Sequence, residues 1–285
     1  MSATKEIIQK FSLLYEQAVF DVWSFFDREK LELISHHNLG WHPDKFDQKA
    51  YLLASKERYL KLLELLSTYK NVENWNAESI LDVGGFFGAF PLTLSRIGFK
   101  VSLAEKYSYY YGAFDDLRDY LQGEAVKIYD ADFTDDIEIR DKFDVVTNLA
   151  MLEHLPGSPK KTLENLKLCM KNSGYLLVEV PNIAYWPNRL KLLKGETVHP
   201  PIEDVYDSME PFVGHHREYT IKDLQNVISR VGLECIEIRT FNYTPWPQGN
   251  WKQKLLLEYP INRFDSCKEL LLAIAGQSSN LTTGK

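Results

Sequence analysis

The chain has 285 residues, 45% of them apolar and 26% charged, with a formal charge of −7 and a pI near 5.6. That is enough for one substantial core and a small appended subdomain, and the acidic balance argues against a nucleic-acid binder that relies on a broad basic face. Cys169, Cys235 and Cys267 are too scattered for a disulfide framework or a zinc site. No signal-peptide layout opens the chain and no apolar run approaches the roughly 18 residues of a membrane span, so a cytoplasmic protein with no membrane partner is expected.

Residues 5–35 repeat apolar side chains every three to four positions (Ile7, Phe11, Leu14, Ala18, Val22), which predicts a helix. A polar link, 35–45, follows and carries His36, His37, Trp41 and His42. Adjacent histidines tend to point apart and no acid or cysteine completes a ligand spacing, so no metal is expected there. A second helix is predicted over 47–69. Residues 1–75 thus read as a helical extension that packs on, or lids, what comes next.

From residue 78 strand and helix alternate. Strands are predicted at 78–83, 100–104, 126–129, 143–148 and 175–180, with helices at 88–96, 109–122 and 158–171. Between the first strand and helix lies Asp82-Val83-Gly84-Gly85-Phe86-Phe87-Gly88, an apolar strand delivering an acid and glycines into a tight turn. That pattern places a ligand at the carboxyl end of a buried parallel strand. Glu105 ends the second strand, where a carboxylate can accept both hydroxyls of a ribose. Residues 182–213 interrupt the rhythm. Thr220 and Asp223 then cap a helix stopped by Gly232, and strands close the chain at 235–240 and 270–275, with a helical stretch at 251–264 between them. Residues 277–285 read as a frayed tail.

With these units laid out, the chain resembles the class I S-adenosylmethionine-dependent methyltransferases. Within them it is most similar to the sugar and small-molecule enzymes of bacterial polysaccharide and secondary-metabolite pathways, through Val180-Pro181-Asn182 and His215-His216-Arg217-Glu218-Tyr219-Thr220. The resemblance implies an α/β Rossmann-like, mostly parallel seven-stranded sheet of order 3-2-1-4-5-7-6, with helices on both faces, over residues 76–276. It makes 182–213 a substrate-side insertion. It places the cofactor S-adenosylmethionine against Asp82, Gly84, Gly85 and Gly88, with Glu105 on the ribose, Asp130 or its rival Asp132 on the adenine side, and Asn148 at the fourth strand's end. One of Tyr109, Tyr110 and Tyr111 covers the adenine in this reading. Phe86 departs from the family pattern, which has glycine there. Either the turn passes the ligand differently or Gly85 supplies the missing flexibility.

Methyl transfer from a sulfonium needs alignment, and a hydroxyl acceptor also needs a base. His154, beside Glu153 after the fourth strand, and His215 are the candidates. Arg217 suits an acidic group on the acceptor, and Tyr185 and Trp186 suit a sugar face. His199 lies in the insertion without a readable spacing. The expected activity is O-methylation of a sugar, nucleotide sugar or related metabolite, with a homodimer admitted as an assembly. N- or C-methylation, or cofactor binding without catalysis, are the alternatives. Nicotinamide redox chemistry is disfavoured, because a dinucleotide loop needs the glycine that Phe86 replaces.

Overall fold

The computed structural model describes residues 3–71, 75, 77–244 and 258–278. Its sheet has the order β3-β2-β1-β4-β5-β7-β6, with β1 Ser79–Val83, β2 Lys100–Glu105, β3 Lys127–Asp130, β4 Phe143–Leu149, β5 Met170–Pro181, β6 Glu234–Phe241 and β7 Leu270–Gly276. The first five strands pair in parallel, and β7 runs antiparallel to both β5 and β6. The apolar strands alternate between two cores. Leu270, Leu272 and Ile274 enter one, while Leu271, Ala273 and Ala275 enter the other. A strand buried on both faces has no polar side to show, which is why β7 reads as unbroken apolar sequence.

Helix α7 (Lys160–Cys169) and α10 (Ile221–Arg230) cover one face. The capping box at Thr220 forms with Asp223 in place of the usual Glu or Gln, the shorter acid still reaching the Thr220 N–H at 3.1 Å.

The other face carries α5 (Ala89–Ile97), α6 (Asp115–Gly123) and the leader. Leader helix α1 (Ala3–Trp23) buries Phe11, Tyr15, Ala18, Val19 and Val22 along one stripe. Phe11 meets Phe90 of α5 edge-on at 6.0 Å, and Tyr59 stacks on the same ring at 4.4 Å. Burying Phe11, Val19 and Val22 stabilises by roughly 1.5–3 kcal/mol each, so the leader is part of the core.

Both leader helices break where one was predicted. The first ends before Asp27, whose carboxylate caps α2 (Arg28–Ser35) by accepting from Lys30 N at 2.9 Å. The second divides at Ser55 into α3 (Gln48–Ala54) and α4 (Lys56–Leu66). The Ser55 hydroxyl donates back to Tyr51 O at 2.9 Å, a bond that bends helices. The helix predicted over 109–122 starts only at Asp115, because Tyr111 and Gly112 take left-handed backbone with φ of 49° and 82°.

The segment after β5 holds α8 (Trp186–Leu193) and α9 (Ile202–Asp207). It is stitched to the leader: Met209 N and Val213 N donate to the carbonyls of His36 and His37 at 2.9 and 2.8 Å. Lys45 pairs with Asp204, and Leu39 N donates to Ser208 Oγ. Of the stretch predicted helical over 251–264, residues 258–263 are helical and 251–257 lie outside the described residues. In the tail, 279–285 also lie outside them. No helix among the described residues is long and apolar enough to cross a membrane.

Candidate active site

A pocket opens at the carboxyl ends of β1, β2 and β4, where the parallel strands leave their last backbone groups pointing at one crevice. Its floor is Asp82 to Phe87, with Glu105 and Lys106 on one side, Leu149 to Met151 and His154 on another, and leader residues His37, Trp41, Tyr51, Arg58 and Tyr59 above.

The glycine turn divides its work among different atoms. Gly84 has φ 79°, and a Cβ there would lie 2.8 Å from Met151 Cγ. Gly85 uses no left-handed backbone. Its hydrogen side chain makes room for Asp82, whose Oδ2 would lie 2.3 Å from a Cβ. Phe86 itself takes the left-handed conformation, φ 47°. Its ring is turned into Trp41, Phe87, Tyr110 and Phe114, with centroids 4.3–5.8 Å away. The backbone therefore bends much as a glycine would bend it, and the strain is offset by aromatic packing. Gly85 does not supply the flexibility.

Phe86 N donates to Glu105 Oε2 at 3.0 Å, and Lys106 N to Glu105 Oε1 at 2.9 Å. Each carboxylate oxygen keeps lone-pair capacity for a ligand. Burial pushes Glu105 up to about 7, against those two N–H bonds. Asp82 is likewise pushed up to about 7 by burial, opposed by the Thr147 hydroxyl at 2.6 Å.

Asp132, not Asp130, stands on the pocket wall. It pairs with Lys106, whose ammonium lies 4.1 Å from the Tyr109 ring centre. Burial works to raise Asp132, and Lys106 and Thr134 outweigh it to hold the carboxyl below its ordinary value. Asp130 is half-exposed, accepts from Tyr107 N and faces Arg118 at 3.8 Å. Of the three tyrosines, Tyr109 and Tyr110 line the pocket, whereas Tyr111 stacks on His37. Asn148 is beneath the pocket, donating to Val83 O at 3.2 Å, and Gly88 caps α5 behind the turn.

Past β4, Ala150 takes φ 51° and a single helical turn, Leu152–His154, throws Glu153 inward and His154 onto the pocket. The His154 Nδ1 is bonded to the Val213 carbonyl. A carbonyl only accepts, so Nδ1 carries the hydrogen and Nε2 keeps the lone pair. Burial, then the neighbouring His215, push the His154 pKa down to about 3, so the ring is neutral. The His215 ring meets that of His154 at 4.8 Å, edge to face, and its Nδ1 lies 3.0 Å from Glu218 Oε1. Burial works to lower His215, and the Glu218 bond with the charges of Glu153 and Glu218 outweigh it, so its pKa rises. Glu153 is buried and pushed up to about 7 by desolvation, and its Oε2 has no hydrogen-bond partner.

Three expected acceptor contacts fall elsewhere. Asn182 donates to Ser266 O and Lys268 O at 3.0 and 2.8 Å and accepts from Ala184 N at 3.0 Å. Those bonds turn the chain after β5 toward residues 266–268, carrying Tyr185 and Trp186 off the pocket wall. The Arg217 side chain is 67% exposed and faces Asp223 at 4.0 Å. His199 is exposed. Two leader histidines have partners within the protein: His37 Nδ1 lies 3.1 Å from Pro211 O, and His42 Nδ1 accepts from Asp44 N at 3.3 Å.

The sequence family described as the methyltransferase domain matches residues 51–238, from the pocket's Tyr51 through most of β6. The chain belongs to the methyltransferase-domain family. It is an S-adenosylmethionine-dependent class I methyltransferase, and the sheet order has the form that the resemblance implied. Solved structures with a similar fold include magnesium protoporphyrin IX methyltransferase from Synechocystis PCC 6803 with bound SAH, at 13% identity and TM-score 0.50 over 80% of this chain and 87% of that one. The CcbJ methyltransferase from Streptomyces caelestis is similar at 14% identity and TM-score 0.50, over 75% and 87% of the two chains. An S-adenosylmethionine dependent methyltransferase from Mesorhizobium loti has 15% identity and TM-score 0.51, over 78% and 97%. At such identities the likeness is one of fold. No curated protein matches the chain in sequence.

The methyltransferase pocket suits this cofactor chemically. Asp82, Glu105 and Asp132 line it with carboxyl oxygens that can accept from ribose hydroxyls and an ammonium, while the Lys106 ammonium is engaged by Asp132. A pyrophosphate would meet carboxylates in the same place.

Proposed function

We propose that the enzyme methylates a hydroxyl oxygen of a small polar acceptor, with a sugar or nucleotide sugar as the leading class. The observation that carries this reading is the edge-to-face pairing of His215 with His154, the histidine on the pocket wall, with Nδ1 of each ring engaged so that Nε2 is the lone-pair nitrogen. Bound S-adenosylmethionine supplies the methyl group on a good leaving sulfonium. Asp82, Glu105 and the 84–86 backbone hold that end, while the leader covers the other. Trp41 and Tyr51 on the leader side give the acceptor aromatic surface, a usual partner for a sugar ring. His154, neutral, lines the pocket beside His215 and shapes the space for the acceptor oxygen, leaving the hydroxyl's one hydrogen to His215. His215, kept more basic by Glu218, takes the proton, and its 38% exposed side chain gives that proton a route to water. An amine acceptor would need no such base, which is why oxygen is favoured.

Release of S-adenosylhomocysteine should be measured with a panel of glycosides, nucleotide sugars and amines. Hydroxyl acceptors should turn over, and H215A should lower kcat by about 10²–10⁴-fold. Turnover of amines alone, or unchanged kcat in both H154A and H215A, would overturn the reading.

A further inference from the structure

The Glu153–His154–His215 cluster has the composition of a metal site, with a carbonyl or carboxylate behind each ring, and it lies outside the leader loop where the sequence concentrates histidines. One potential ligand atom from each of the three residues lies within 4.8 Å of the others. The histidines are held in the manner of ligands. His154 Nδ1 is bonded to the Val213 carbonyl and His215 Nδ1 to the Glu218 carboxylate, which fixes both tautomers with Nε2 as the lone-pair nitrogen. A backbone carbonyl or a carboxylate behind the ring is the usual partner of a metal-bound imidazole.

The third member is the independent sign. Glu153 is 1% exposed and its Oε2 has no hydrogen-bond partner. An orphaned carboxylate oxygen at that depth costs several kcal/mol by rough reckoning unless something answers it. Nothing in the structural role of Glu153 does so. Its backbone carbonyl accepts from His216 N at 2.7 Å and so clamps the 213–217 segment, but this uses no side-chain atom. A cation between the two rings would answer it.

We propose that Glu153, His154 and His215 bind one divalent first-row transition ion. Two imidazoles and one carboxylate suit ions of the zinc, iron and manganese kind and leave positions for further ligands. Because His154 lines the pocket, an ion held here would border the space for the acceptor. There the ion would hold the acceptor oxygen and lower its pKa, replacing the free imidazole as the activating group. That role rests on the oxygen-acceptor reading above. The metal site itself does not.

The test uses the untagged full chain, stripped with EDTA and titrated with Co²⁺ while the visible d–d absorption is followed. One saturable equivalent is expected, with affinity at least about 10-fold weaker in E153Q and in H215A. E218Q, which alters the partner behind the His215 ring, should lose about 10–100-fold. H42A, in the leader loop, should bind as wild type does. No saturable band, a band that survives in both E153Q and H215A, or one lost in H42A would overturn the proposal. Calorimetry with S-adenosylmethionine on the same samples separates the two readings. Cofactor binding that persists in E153Q shows that the variant is folded. Cofactor binding without any Co²⁺ signal rejects the metal and leaves the methyltransferase reading standing.

Discussion

Arg58 Nε lies 2.7 Å from Glu179 Oε2, with Arg58 on leader helix α4 and Glu179 within β5, both at least 95% buried. The guanidinium also donates to Tyr51 Oη at 2.8 Å, so one side chain ties sheet, leader and pocket wall together. Burial opposes the Arg58 charge, and Glu179 together with Tyr51, Tyr59 and Tyr243 outweighs it. Removing one partner strands the other in a dry site. R58M should therefore destabilise by about 3–5 kcal/mol, whereas R58M/E179M should recover most of that loss. Urea unfolding of the two single variants and the double variant measures the coupling, and additive losses would show that the pair does not act as one.

Asp82 gives the cofactor-free enzyme a pH-dependent weakness. Its folded pKa is pushed from an ordinary carboxyl value up to about 7. Between about pH 4 and pH 7 the folded state binds a proton that the unfolded chain has lost, so stability falls as pH rises through that window. Asn keeps an oxygen for the Thr147 hydroxyl and cannot ionise. The stability of D82N relative to wild type should grow with pH across that window by up to roughly 4 kcal/mol, because a tenfold change in proton activity is worth about 1.4 kcal/mol. Denaturant midpoints at about pH 5 and pH 8 test the direction. A difference that stays flat would mean that Asp82 ionises normally.

Phe86 combines a left-handed backbone with a packed ring. Truncation removes the packing in either case, but only alanine keeps the backbone penalty. F86G should thus be more stable than F86A by about 1 kcal/mol, although it is the smaller residue. The reverse order in thermal melts would mean that the turn relaxes to another backbone once the ring is gone.

Glu105 should read ribose hydroxyls. E105Q should weaken S-adenosylhomocysteine binding by on the order of 10–100-fold, the scale of hydrogen bonds to a charged group. The same substitution should matter little for a 2′,3′-dideoxy analogue. Equal losses for both ligands in calorimetry would assign Glu105 to holding the Phe86 turn alone.

Much of the cofactor side is readable because its signals are local. A strand, an acid and a glycine turn lie within ten residues at Ser79–Gly88, and Glu105 ends a strand of the same kind. The acceptor side depends on long-range packing. Tyr185 and Trp186 are diverted by contacts that Asn182 makes with residues more than eighty positions on, which no spacing reveals. Trp41 and Tyr51 reach the pocket because of where α3 and α4 dock. One signal was present. Arg58 falls on the stripe of α4 that also holds Leu62, Leu65 and Leu66, and Glu179 interrupts Leu176–Val180. Two opposite charges in two apolar faces are readable as partners.

The backbone bonds from Met209 and Val213 to the His36 and His37 carbonyls bring together two segments about 170 residues apart in the chain. Each segment satisfies backbone groups of the other where both border the pocket. A designer grafting this pocket rim onto a relative would have to transplant 35–59 and 200–218 as a matched pair of cassettes, because exchanging either alone leaves a seam of unmatched amides and carbonyls.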